Sequence, residues 1–274
     1  MRISVERLLF RERPLETFLD YVAGLGVDGV EFSEYEISRI SELSRLTRRD
    51  IYIAVRARGL QISGIYWSEP FHEAGERMRI VEHARRLAAE YRNMNCWNVI
   101  IGPPKRITLK TDAERIKVLS ETAETLKAAA TAFLDHGVRA SLHNHYDTTI
   151  ETEDELSFIL ERIDEEILGF CPDTAHLLLA GIDPVQIIKR YLNRITYVHL
   201  KDVAGPLKTG GRETRWFEKT TELGRGVIDF PPIIRLLRSG GRVEWLVIEQ
   251  DTSGLNPELS TKISLDYLKA IITG

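Results

Sequence analysis

Four short segments in the second half of this 274-residue chain carry imidazole and carboxylate groups in close succession. They are His143-Asn144-His145, Asp173-Thr174-Ala175-His176, His199-Leu200-Lys201-Asp202 and Glu249-Gln250-Asp251. Each closes a short apolar run that reads as a strand. One His, one Asp, one His and one Glu brought to a common point would hold a divalent ion. Imidazole with carboxylate suits Mn, Co, Zn or Fe, and a mixed set without thiolate suits a catalytic centre with open positions. His143, Asp173, His199 and Glu249 are the candidate ligands. Residues two apart on a strand share a face, so His145, Lys201 and Asp251 would stand beside the ligands further up the same mouth. Such an ion acts as a Lewis acid on a substrate oxygen and stabilises the charge that develops there. Glu249 and His145 are the candidates for the accompanying proton transfers, with Lys201 as an electrostatic helper or acid. His145 and His176 read alternatively as partners that orient the ligands. A lone histidine at a strand end is more often an ordinary polar residue. Here four of the seven fall at three successive strand ends, while His72, His83 and His136 lie on helix or loop segments.

The elements that must position these groups alternate along the whole chain. Strands are predicted at 3–5, 29–32, 61–66, 97–101, 139–143, 168–173, 195–200 and 245–249. Helical spacing of apolar residues predicts helices over 14–25, 38–58, 73–91, 112–136, from Thr152, from Pro184, over 231–238 and over 257–272. Thr152-Glu153-Asp154-Glu155 has the form of a capping box, and Gly137 that of a helix stop. Eight strand-helix units with continuous apolar strands predict a parallel sheet covered on both sides, and the length matches a (β/α)8 barrel of ~250 residues. The separations of 30 and 26 residues between His143, Asp173 and His199 each fit one such unit. The step of 50 to Glu249 contains an inserted loop at about 204–228. A barrel places its active site at the C-terminal ends of its strands, where all four segments fall. The competing architecture, an open doubly wound sheet, would carry a glycine-rich first turn, and VERLLFRERP has no glycine. The expected organisation is a single α/β domain over 1–274.

Glu31, on the second strand, is a candidate for substrate binding, or for a salt bridge inside the mouth. Trp67, Arg225 and Asp251 are further candidates for substrate binding. Trp67 and Trp216 would wall the site or lie in the core, where aromatics are commoner. Lys201, Lys208, Arg212, Arg215 and Arg225 offer positive charge near the mouth for a phosphate, or form a solvated loop. Lys and Arg number 37 against 41 Asp and Glu, a net charge of −4, which argues against a nucleic-acid partner. No run approaches the ~20 apolar residues of a membrane span, and MRISVERLLFRERP lacks the apolar core of a signal peptide. Cys96 and Cys171 form no CxxC pair, so a reducing cytoplasm is expected.

Five stretches carry a family resemblance: HNHYDTTIET (143–152), CPDTAHLLLAGIDP (171–184), ITYVHLKDV (195–203), LGRGVIDF (223–230) and WLVIEQDTS (245–253). Together they resemble the xylose-isomerase-like TIM-barrel superfamily of sugar isomerases, epimerases and dehydratases, and most of all its inosose-dehydratase branch. The first half matches by pattern only. The resemblance implies one divalent metal, manganese or cobalt first, on His143, Asp173, His199 and Glu249, with His176 contacting substrate or orienting the site. It implies a keto-polyol or keto-sugar substrate, and a homo-oligomer, dimer or tetramer. The superfamily's isomerases and epimerases usually place a glutamate where His143 stands, paired with the glutamate of the eighth strand as two acid/base groups. That departure favours dehydration of an inosose-like substrate over isomerisation or epimerisation of a ketose. More distant alternatives are an abasic-site endonuclease, disfavoured by the net charge, and a non-catalytic sugar-binding barrel, disfavoured by the intact His/Asp/His/Glu set.

Overall fold

The structure, a computed structural model, describes residues 1–207 and 215–273. Eight parallel strands form one sheet: β1 (Arg2–Glu6), β2 (Gly29–Ser33), β3 (Gln61–Ser68), β4 (Asn98–Gly102), β5 (Arg139–His143), β6 (Leu168–Cys171), β7 (Tyr197–Leu200) and β10 (Trp245–Ile248). Pairing runs without a break from β6 through β5, β4, β3, β2, β1 and β10 to β7. The remaining gap, between β6 and β7, is closed by isolated parallel bridges at Phe170–Ile195 and Asp173–His199. Thr174 reinforces this seam: its hydroxyl donates to the Lys201 carbonyl (2.7 Å) and accepts from the Lys201 N–H (3.0 Å). The sheet is thus a (β/α)8 barrel. Two very short strands, β8 (Asp202–Val203) and β9 (Thr220–Thr221), make a separate antiparallel ribbon beyond the end of β7.

Side chains alternate across the strands. Val30, Phe32, Ile65, Val99, Leu142 and Phe170 pack outward against the helices. Ile100, Cys171, Tyr197, Trp245 and Val247 form a smaller cluster of their own with Tyr66, which fills the barrel interior. β3 departs from regular alternation. Val30 pairs with Ile62, but Glu31 pairs with Gly64, so Ser63 is an extra residue in β3. A bulge of this kind shifts the phase of everything after it. Ile65 and Trp67 therefore face the helices and Tyr66 faces the interior.

The helix predicted over 38–58 is two helices, Glu34–Ser44 and Arg48–Ala57. Arg45 takes a left-handed conformation (φ 57°) that ends the first, and Thr47 with Asp50 forms a reciprocal capping box that starts the second. The apolar spacing continues through the break, which is why periodicity alone joins them. A short helix, Thr174–Leu179, begins directly at the end of β6 with Asp173 as its N-cap; six residues give too little periodicity to predict it. The Thr152 box is present as predicted, and Gly137 is left-handed at the end of the 112–134 helix (φ 72°). Lys208 and Arg212 lie outside the described residues. Among the described residues no helix is long and apolar enough to cross a membrane.

Replacing Thr47 with alanine removes the cap of the Arg48–Ala57 helix. The expected cost is about 1 kcal/mol, seen as a fall of about 2 °C in the melting temperature with divalent-ion uptake unchanged.

Candidate metal centre

The C-terminal ends of β5, β6, β7 and β10 bring His143, Asp173, His199 and Glu249 together. Each offers one ligand atom, and these atoms lie within 4.8 Å of one another. The surrounding chain fixes each of them. Asp173 spends Oδ1 on the N–H of His176 (2.9 Å), capping the helix that follows, and this aims Oδ2 at the cluster. Asn144 clamps the same backbone from β5: its Oδ1 accepts the Asp173 N–H (2.9 Å) and its Nδ2 donates to the Asp173 carbonyl (3.2 Å). The asparagine inside His-Asn-His is therefore a structural tie between two ligand-bearing strand ends. His199 donates Nε2–H to Glu31 Oε2 (3.0 Å). Its Nδ1 faces Glu249 Oε2 at 2.5 Å, and Glu249 Oε1 lies 2.5 Å from Lys201 Nζ.

Four atoms test whether these residues suit a cation: His143 Nε2, Asp173 Oδ2, His199 Nδ1 and Glu249 Oε2. All are buried, and among the described residues none makes a well-directed hydrogen bond; their nearest polar neighbours are one another and Lys201, with His143 Nε2 3.5 Å from Asp173 Oδ2. Orphaned buried polar atoms are costly, and a bare imidazole nitrogen facing a carboxylate oxygen at 2.5 Å is repulsive unless something positive lies between them. The donor set thus fits a divalent ion. Protonation gives the same answer. Burial opposes charging the His199 ring, but Cys171, Glu31 and Glu249 outweigh it and raise its pKa well above the usual range. Burial likewise works against an ionised Glu249, yet Lys201 and His199 hold its carboxyl well below the usual carboxylate range. A proton on His199 and a metal ion compete for one place.

Around the cluster the groups divide by charge. Lys201 is almost wholly buried and lies 3.1 Å from Asp251 Oδ2 and 3.5 Å from Asp173 Oδ2. Burial would lower its pKa, but Asp173, Asp251 and Glu249 raise it well above the usual range, so it stays an ammonium. Asp251 is pushed up to about 6 by burial and by Glu249, against the pull of Lys201. His145 donates Nδ1–H to the Tyr146 carbonyl (2.6 Å), which leaves the lone pair on Nε2. Burial, His143 and Lys201 bring it down to about 4, a neutral ring. It stacks on His176 at 3.8 Å, and Trp216 stands edge-on to both, 5.2 and 4.7 Å away.

A cavity of about 180 Å³ opens over these groups, lined by Glu6, Glu31, Tyr66, His143, His145, His199, Glu249 and Asp251 among others. Tyr66 stands edge-on to His143 at 5.5 Å. Gly102 makes room for it, since a Cβ there would fall 1.7 Å from the tyrosine hydroxyl. Trp67 is not in this cavity. The β3 bulge turns it outward, between Phe71, His83 and Phe133, so of the two places expected for Trp67 it takes the core, and Tyr66 stands in the wall. Arg225 is also outside: it is exposed and pairs with Glu222 (3.9 Å). Glu6 went unnoticed in the sequence, yet it ends β1 and pairs with Glu31 of β2, and burial, Glu36, Glu249 and Glu31 raise its pKa well above the usual range. A larger groove of about 730 Å³ runs between residues 106–119 and 147–155 and contains none of the cluster.

A family model described as a xylose isomerase-like TIM barrel matches residues 19–271. An inosose dehydratase of Geobacillus kaustophilus (strain HTA426) is 29% identical over 216 residues, covering 75% of this chain and 67% of that protein. One from Clostridium beijerinckii (strain ATCC 51743 / NCIMB 8052) is 34% identical over 144 residues, 49% of this chain and 48% of its own length. The similarity to most of these dehydratases thus spans about half of their length or less. Among solved structures, that of the IolI protein with a bound zinc atom superposes with a TM-score of 0.83 at 13% identity, covering 100% of this chain and 98% of that one. At that identity the likeness is one of fold.

Elemental analysis of the purified chain is expected to give about one divalent ion per chain. His143→Ala and Asp173→Asn should each weaken its binding by more than about 100-fold, beyond the range seen on losing an outer partner of a metal ligand. Unchanged stoichiometry and affinity in both variants would remove these two residues from the ligand set.

Proposed function

The chain belongs to the xylose isomerase-like TIM-barrel family, and on that premise we propose that it is a divalent-metal-dependent dehydratase acting on an inosose or a closely similar keto-polyol. The observation that carries this reading is the set of four orphaned donor atoms beside a buried ammonium and a buried acid. Two imidazoles with two carboxylates suit Mn, Co, Zn or Fe, and manganese or cobalt is the first choice. His143, Asp173, His199 and Glu249 would hold the ion, which when bound supplies Lewis-acid polarisation of the substrate ketone.

The remaining steps fall to the protein's own groups. Loss of water from a keto-polyol requires removal of the proton on the carbon next to the ketone and departure of the hydroxyl one carbon further on. His145 has the free Nε2 lone pair for the first. Asp251, whose pKa is pushed up to about 6, can hold the proton that joins the leaving hydroxyl as water. Lys201 keeps Asp251 and Glu249 in place and puts a fixed positive charge where negative charge develops on substrate oxygen. The product enol then becomes a 1,2-diketone by moving one proton. Glu249 is a weaker candidate for proton transfer than the sequence reading made it, because Oε1 is tied to Lys201 and Oε2 faces the cluster. His176 and Trp216 pack against His145 and fix its ring.

One feature separates water loss from isomerisation. A symmetrical epimerase needs two proton-carrying groups of one kind facing each other across the substrate. Here β5 ends in an imidazole, His143, and Glu249 is ion-paired. Asp251 and His145 differ in kind and in pKa, as an acid and a base for elimination should.

Incubating the metal-loaded protein with an inosose should release water and give an absorbing enol-diketone product. Asp251→Asn should lower kcat by about 10²–10⁴-fold with metal content unchanged. Epimerised sugar with solvent deuterium at the α carbon and no loss of water would replace the dehydratase reading with the isomerase/epimerase one.

A further inference from the structure

Beneath the candidate centre a line of hydrogen bonds crosses the barrel interior. Ser4 Oγ lies 2.7 Å from Ser63 Oγ, Ser63 Oγ lies 2.8 Å from the Tyr197 hydroxyl, and that hydroxyl lies 2.5 Å from Glu31 Oε2. The same oxygen receives His199 Nε2 at 3.0 Å. All five residues are buried, Ser4, Ser63, Tyr197 and Glu31 completely. A carboxylate oxygen only accepts, so Tyr197 gives its single proton to Glu31. Ser63 has one proton and two acceptors within reach, the Tyr197 hydroxyl and the Val30 carbonyl (3.1 Å), so it braces the tyrosine from behind and ties it to β2. Glu31 Oε2 thus ends the line, between the Tyr197 hydroxyl and the His199 ring.

We infer that Glu31 is a positioning residue for the metal centre: held by Tyr197 and Ser63, it fixes His199 with its proton on Nε2 and its lone pair on Nδ1, aimed at the ion. The inference rests on the metal reading above and adds a residue outside the four donors. Two backbone features serve the same end. Ser63 is the extra residue of the β3 bulge, so the line exists because the bulge turns Ser63 and Gly64 inward together. Gly64 leaves space for the Tyr197 ring, since a Cβ there would come within 2.8 Å of its hydroxyl. Oε2 has its partners within the protein, while Oε1 has no hydrogen-bond partner among the described residues and Glu31 lines the cavity.

Metal binding tests this without any substrate. The probes are Co²⁺ for affinity and Zn²⁺ for histidine ¹⁵N NMR, on wild type, Glu31→Gln, Glu31→Ala and Tyr197→Phe. The expected result is 10–100-fold weaker Co²⁺ binding in Glu31→Ala and loss of the Nε2–H signature of His199 in the Zn²⁺ form. Glu31→Gln, which keeps an acceptor without the charge, should recover part of the affinity. Tyr197→Phe should fall between wild type and Glu31→Ala, and it carries the test if the Glu31 variants do not fold. Wild-type affinity in Tyr197→Phe and in whichever Glu31 variants fold, with only the KM for inosose raised, would overturn the inference and make Glu31 a substrate contact. No Co²⁺ uptake by wild type would overturn it together with the metal reading, and the two failures are thereby told apart.

Discussion

The carboxylates of Asp173, Glu249 and Asp251 converge on the ammonium of Lys201, and a fourth, Glu31, meets the imidazole of His199 a few ångströms away. Each of these charges is nearly or wholly withdrawn from water, and withdrawal costs several kcal/mol per ion unless partners compensate. Negative groups outnumber positive ones, so positive charge added at the centre, whether protons or a cation, stabilises the arrangement. Much of the local architecture follows from that imbalance. Asp173 is turned by a helix cap, Asn144 by a double backbone bond, and Glu249 by Lys201, so that each group is held by something other than the charge it waits for. Preorganisation of this sort makes ion binding the completion of an existing frame.

The barrel's weakest seam lies at the same place. Between β6 and β7 the ladder is reduced to isolated bridges, and one of them joins Asp173 to His199. Side-chain bonds from Thr174 replace the missing backbone ones. An ion held by these two residues would also tie the two strands, coupling occupancy of the centre to closure of the barrel.

The parts of the fold that were legible in the sequence are those where one physical signal acts alone. Continuous apolar runs mark the strands because both faces are buried, and polar residues directly after them mark the mouth. His143, Asp173, His199 and Glu249 could be singled out for that reason. What was not legible depends on a single backbone irregularity or on distant partners. One extra residue at Ser63 exchanges the faces of Tyr66 and Trp67, and no composition rule shows it. The left-handed Arg45 divides a helix whose apolar pattern continues past it. Glu6 looks like an ordinary strand-end acid until Glu31, Glu36 and Glu249 are seen around it, and Asn144 looks like a spacer until Asp173 is seen across the seam. Arg225 sits in a glycine turn whose conformation, not its charge, is what the chain uses.

That turn has a bearing on how the molecule could change. The Asp202 carboxylate accepts the N–H groups of Val203, Gly224, Gly226 and Ile228 at 2.9–3.2 Å, and the β8–β9 ribbon binds Val203 to Thr220. Both ends of the segment carrying Trp216 are thereby stapled to the barrel independently of what lies between them. Loops closed at fixed ends tolerate changes of length at small entropic cost. Trp216, edge-on to His145 and His176, is therefore carried on a segment whose anchors lie outside the cluster, and exchanging that side chain would reshape the wall beside the histidines without moving a donor atom.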